Sequence, residues 1–176
     1  MSIPNHIEHL KASIHSVDWE TAKNASDELA TIGGKEVVDF LISLLNQSNA
    51  KLRNVAALGL REMRDNCAIE PLLNAINKKG NENNRGTMVY ALQTSDCSQK
   101  LPEIFDLLFY GNFEVRMMAS TILEEQIFEF TRQDLHNIQC KWEDLQEHPE
   151  KCPGFNAEVK DLIQDFVADY LAYLNQ

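Results

Sequence analysis

A near-repetition every 31 or 32 residues constrains this chain more than any other feature. NAKLRNVAALGL from Asn49 returns as NENNRGTMVYAL from Asn81 and as NFEVRMMASTIL from Asn112. Asn49, Asn81 and Asn112 open the copies, Arg53, Arg85 and Arg116 stand four residues on, and Leu60, Leu92 and Leu123 eleven on. One register further back, Asp18 takes the Asn column and Leu29 falls under Leu60, so the first copy begins at DWETAKNASDEL. A second segment follows each copy: VVDFLISLL from Val37, AIEPLLNAI from Ala68 and KLPEIFDLL from Lys100. A period of this length marks a solenoid, in which each unit buries its apolar stripe against its neighbours.

Both segments read as helices. Val38, Leu41, Ile42 and Leu45 fall at i, i+3, i+4 and i+7, as do Ile69, Leu72, Leu73 and Ile76, a spacing that lines up one face of a helix and not of a strand. Leu52, Val55, Ala56 and Leu60, or Val115, Met118, Ala119 and Leu123, do the same in the first segments. Gly33-Gly34, Asp65-Asn66 and Ser95-Asp96 break the paired helices, and Asn46 to Asn49, Gly80-Asn81 and Gly111-Asn112 join successive pairs. Connections this short make neighbouring helices antiparallel. Pro71 and Pro102 lie near the first turn of a second helix, where a missing N–H costs least. Ala25, Ala56 and Ala119 form a small-residue column that lets helix axes approach, with Met88 as its bulky exception.

Ile7, Leu10 and Ile14 extend the second-helix column backwards, so an orphan second helix is expected to cover the first repeat. At the other end, Arg132, His136 and Gln139 take three of the four inward places that the register assigns. No regular helix is expected there, although Leu135 and Ile138 allow a deformed one. Residues 140–156, with Pro149, Pro153 and Gly154, read as an irregular insertion. Val159, Leu162, Ile163, Phe166, Val167, Tyr170, Leu171 and Leu174 then form the stripe of a capping helix. The expected organisation is a single domain: a repeat array over residues 1–125, followed over 126–176 by a degenerate last repeat, the insertion and the cap.

LRNVAALGL from Leu52, AIEPLLNAI from Ala68 and VRMMASTIL from Val115 resemble the HEAT repeat family, in the short bacterial form also found in phycobilin lyases. The resemblance covers residues 6–125 and implies an all-α, right-handed α-solenoid of about four stacked antiparallel helix pairs. Where the family often has Asp, this chain has Asn49, Asn81 and Asn112, which removes a charged Asp-to-Arg ladder but keeps an N-cap. Arg53, Arg85 and Arg116 are accordingly expected to bridge adjacent repeats by hydrogen bonds. Fold does not carry function in this family. Its alkylpurine glycosylase and phycobilin lyase members make an enzyme or a nucleic-acid-associated module the alternative to a binding scaffold.

The formal charge of −11 disfavours a polyphosphate ligand and favours a basic protein partner. Lys51, Arg53, Arg61, Arg64, Lys78, Lys79 and Arg85 form the one central basic band. No apolar run approaches the ~20 residues that span a bilayer, and the first residues lack the pattern of a secretory signal. A cytoplasmic location and reduced thiols at Cys67, Cys97, Cys140 and Cys152 are the expectation.

In a HEAT-like stack the second helices would line the concave side. Their non-core positions form columns: Glu8, Asp39, Glu70 and Glu103, then Ser43, Asn74 and Asp106, with Phe109 and Tyr110 as an aromatic edge. Acids steering encounter and aromatics acting as anchors suit a basic protein surface. Phe109, Tyr110, Phe113 and Phe155 could alternatively supply a self-contact or fill the end of the core. His136, Cys140, His148 and Cys152 are the candidate metal ligands, two i, i+4 pairs of the types zinc accepts, although their spacing matches no standard zinc motif. No catalytic residue and no cofactor are assigned. The expected role is a non-enzymatic protein-binding scaffold, in its sharpest form an inhibitor or immunity-type protein masking a basic toxin.

Overall fold

The computed structural model describes residues 3–175, and among them it is all-helical, with ten α-helices and three short 3-10 turns. The chain divides into two compact units, residues 1–95 and 96–176. The first holds α1 (Ile3–Ser13), α2 (Trp19–Ile32), α3 (Lys35–Leu44), α4 (Ala50–Met63), α5 (Ile69–Asn77) and α6 (Gly86–Leu92). The second holds α7 (Leu101–Tyr110), α8 (Phe113–Glu125), α9 (Arg132–Glu147) and α10 (Ala157–Leu171).

Capping chemistry sets the helix starts. Asp18 accepts from the Thr21 N–H at 2.7 Å, Asn49 from Lys51 at 2.9 Å and Asn112 from Val115 at 3.0 Å. Each satisfies an amide that the helix cannot. Asn81 departs from the column. Its buried amide nitrogen donates back to the Ala75 carbonyl at 2.7 Å, closing the end of α5, and α6 begins only at Gly86. The third repeat consequently has a first helix of seven residues where the second and fourth have fourteen and thirteen.

In the first unit α2 packs on α4 and α4 on α6, while α1, α3 and α5 each pack on the helix that follows. A second helix therefore pairs most closely with the first helix of the next repeat. α1 packs on α2 as α3 packs on α4, which is the covering expected of a second helix at that place. Ile7, Leu10 and Ile14 are buried as the register requires. The core continues through Leu29, Leu41, Leu60, Leu72, Ile76, Met88 and Leu92, all essentially without exposure. Ala25 and Ala56 lie within it, and Gly59 brings α4 closest to α2. A Cβ there would stand 2.3 Å from the Ser26 hydroxyl, which itself donates to the Val55 carbonyl at 3.0 Å, and 3.0 Å from Leu41.

The second unit corrects the expectation for residues 132–147, while 148–156 are irregular as expected apart from one short turn. Instead of a deformed helix followed at 140 by an insertion, α9 runs unbroken for sixteen residues, started by a reciprocal cap between Thr131 and Asp134. Leu135, Ile138, Trp142 and Leu145 make its buried stripe, which leaves Arg132 and His136 exposed and Gln139 half-buried. The helix is rotated relative to the extrapolated register, so the polar residues that argued against it do not face inward. A short turn at Pro149–Lys151 leads towards α10, whose stripe is buried at Ile163 and Val167 and half-buried at Val159, Leu162, Phe166, Tyr170 and Leu171. Phe105, Phe109 and Trp142 interlock: the two phenylalanine rings are 5.6 Å apart, and Phe109 stacks on Trp142 at 6.4 Å.

Replacing a helical glycine by alanine normally stabilises a helix by about 1 kcal/mol. Gly59→Ala is expected to do the opposite, costing about 1–3 kcal/mol in urea denaturation because of the overlap with Ser26. Adding Ser26→Ala should return part of that loss, giving a measurable coupling in the double-mutant cycle.

Candidate functional site

Two of the three column arginines are structural in a specific way. Arg53 is 4% and Arg116 2% exposed. Arg53 Nη1 donates to the carbonyls of Gln47 and Ser48, both at 2.8 Å. Arg116 Nε donates to Leu108 at 3.1 Å, and its Nη2 to Gly111 at 2.9 Å. The Arg116 guanidinium thus fills the carbonyl end of α7, where the backbone has acceptors to spare and the dipole favours a cation, whereas Arg53 holds the loop that follows α3. This is the bridging between repeats that the spacing predicts. Arg116 Nη2 has two further acceptors, Cys152 Sγ and the Pro153 carbonyl, both at 3.0 Å. Arg85 differs: it is half-buried and precedes α6 as its N-cap residue.

The acidic column survives on the surface, largely ion-paired. In the first unit Glu8, Asp39, Ser43, Glu70 and Asn74 are all exposed. Lys11 meets Glu8 at 2.8 Å and Glu36 at 2.5 Å, and Lys35 meets Asp39 at 2.7 Å. The Glu36 hydrogen bond, seconded by Glu8, raises the Lys11 pKa, and Asp39 raises that of Lys35. Ser43 turns its hydroxyl back to the Phe40 carbonyl. In the second unit Glu103 lies 3.6 Å from Lys100 and Asp106 2.5 Å from Lys141. The proposed aromatic edge requires correction. Phe109 is fully buried in the core, so it cannot anchor a partner; Tyr110 is half-buried, its pKa pushed up chiefly by desolvation. Alternation along the helix placed both rings near its end, but the sequence did not reveal that α9 would cover one of them.

The basic band does not form one surface either. Arg53 is internal, Lys51 donates to the Ser16 carbonyl at 2.5 Å, and Arg61 stacks 4.1 Å from the Tyr90 ring centroid. Nor are the four candidate metal ligands gathered. His136 and Cys140 are exposed on α9 and His148 is exposed at its end, whereas Cys152 is buried against Arg116. No group of three or more His, Cys, Asp or Glu side chains able to hold a metal ion occurs among the described residues.

Sequence reasoning passed over a hollow in the second unit. It has a volume of about 420 Å³ and is bordered by Glu103, Glu129 and Asp134, with Phe130 and Pro102 as apolar walls. Gln99 donates to Glu129, and Asp134 accepts from the Thr131 N–H and hydroxyl, both at 2.8 Å. Only Glu103 of this group stands in the repeat columns. Glu129 and Asp134 lie in the stretch where the register fails.

Residues 7–79 match the family model for HEAT repeats. They belong to the HEAT repeats. No curated protein matches the chain. Among solved structures it is similar to an engineered protein from a structural genomics consortium, at 18% identity over 89% of this chain and 76% of that one, with a TM-score of 0.48. A second engineered protein matches at 18% identity over 96% of this chain and 47% of its own, TM-score 0.46. A designed armadillo repeat protein matches at 14% over 95% and 99%, TM-score 0.33. Among the described residues no helix is long and apolar enough to cross a membrane.

Two outcomes follow from these contacts. Arg116→Met strands several buried acceptors and is expected to cost at least about 3 kcal/mol in chemical denaturation, well beyond the ordinary surface effect of about 0.5 kcal/mol. Alkylation of the native protein near pH 8 should modify Cys140 and Cys67 and spare Cys97 and Cys152, as mapped by mass spectrometry. Burial holds both spared thiols in the neutral form, and pushes Cys97 up to about 12.

Proposed function

We propose that this chain is a non-enzymatic scaffold that binds a basic protein partner through residues 96–176. The carrying observation is the uneven charge: those residues hold sixteen acids against six bases, whereas residues 1–95 hold eleven against ten. The hollow at Glu103, Glu129 and Asp134 gives that charge a local form. Its apolar walls suit the stem of a lysine or arginine and its carboxylates suit the cationic head. Phe130 adds an aromatic face to which a guanidinium is attracted. The long-range field of the unit favours rapid encounter with a cationic surface and disfavours nucleic acid.

The sharper form is an inhibitor or immunity-type protein that masks the substrate site of a basic toxin. A nuclease fits best, because an acidic protein mimics the charge of the substrate it displaces. Repeat scaffolds supply large surfaces without any requirement for catalytic groups.

Capture from the source cell followed by salt titration tests this. The expected result is recovery of a basic protein whose affinity falls steeply with salt. Glu103→Gln combined with Glu129→Gln should weaken that complex by roughly tenfold or more while leaving the thermal midpoint unchanged. Tight binding to DNA or RNA, or a complex indifferent to both substitutions, would overturn the proposal.

A further inference from the structure

The two structural arginines differ in what closes over them. Arg116 is sealed by the turn after the next second helix, through Cys152 Sγ and the Pro153 carbonyl. The corresponding turn for Arg53 is the one after α5, residues Lys78 to Asn81, and it does not close. It leaves a hollow of about 280 Å³, lined by Asn46, Gln47, Ser48, Arg53, Lys78 and Lys79, with Gly80 and Asn81 at its far side. Among the described residues Arg53 donates from Nη1 alone, and its Nε is buried without a hydrogen-bond partner. A buried donor left in this state is unfavourable. In the second unit the matching Nε has the Leu108 carbonyl.

The geometry points to a phosphate-class oxyanion site in this hollow, with the Arg53 guanidinium in its wall and Lys78 and Lys79 as its exposed charges. Where the protein needs acceptors at the second arginine it supplies its own. At the first it supplies acceptors to Nη1 alone and places two further cations, Lys78 and Lys79, on the same hollow. A planar guanidinium beside two ammonium groups matches the tetrahedral oxygens of a phosphate monoester. The hollow is larger than the anion alone needs, leaving space for the group that carries it. One carboxylate, Glu82, borders the turn; the Gly80 N–H donates to it at 2.8 Å and lowers its pKa, so it is held by the backbone. Gly80 has a φ of 95°, a conformation that favours glycine.

The test uses the full chain and inorganic phosphate, titrated against chloride at constant ionic strength, with the amide signals of Gly80 and Asn81 as readout. Saturable shifts are expected, weakened roughly tenfold or more in Lys78→Ser combined with Lys79→Ser. Both lysines are exposed, so the variant should keep its thermal midpoint in chloride, which separates loss of the site from loss of the fold. Arg53→Lys should also weaken binding. A parallel titration with O-phosphoserine distinguishes the sources: tighter binding than phosphate assigns the site to a phosphoryl group on a larger ligand, and binding of phosphate alone assigns it to the free anion. Absence of a saturable shift with either probe, or an undiminished shift in the double-lysine variant, would overturn the proposal.

Discussion

A helix that ends against another part of the molecule leaves carbonyl groups without partners at a place where water cannot serve them. In this chain a side chain four residues after the turn asparagine supplies donors: Arg116 reaches back to Leu108 and Gly111 at the end of α7, and Arg53 to Gln47 and Ser48 in the loop after α3. Burying a guanidinium would normally be prohibitive. At Arg116 the charge meets the negative end of the helix dipole together with aligned acceptors, and those acceptors need it equally. The arrangement ties α4 to the turn after α3, and α8 to α7, which is the tightest pairing in the second unit. It accounts for the fixed Asn-to-Arg separation in two of the three copies, those of Arg53 and Arg116.

Much of this was legible before any coordinates. Apolar spacing located nine of the helices, because a one-sided stripe at 3.6 residues per turn has no other solution. The Asn column marked two true caps at Asn49 and Asn112, and the Arg column marked the bridges. Asn81 shows the limit of the method. The residue type recurs, yet its side chain closes the preceding helix, and only the three-dimensional path of the turn decides which way an amide points. α9 shows another limit: extrapolating a fixed period rotated it the wrong way, and the buried Trp142 and Leu145 that hold it lie beyond the stretch where repetition could be read. The acidic columns were visible as residue types, and Lys11, Lys35 and Lys100 lie three or four residues from their acids, but Lys141 on Asp106 comes from elsewhere in the chain. The same holds for the hollow at Glu129.

The two units use charge differently. In the first, acids and bases nearly cancel and many are engaged locally, as with Lys11 between Glu8 and Glu36. Exposed pairs of this kind contribute little to stability. In the second, acids exceed bases by ten, and no local pairing can neutralise such an excess. That self-repulsion is unfavourable for the folded unit unless something cationic lies on it. The opposite local arrangement, two lysines and a buried arginine around one small hollow, stands out against this background because it occurs in a protein that is acidic overall.

The late start of α6 has a dynamic side. Seven residues make barely two turns, too few to gain from helix cooperativity, so this segment depends on its packing on α4 and α5. Its backbone amides lack the depth of ladder that protects the longer helices. Slow fluctuations of the first unit should therefore begin there, fraying the third copy of the motif while the first two remain intact.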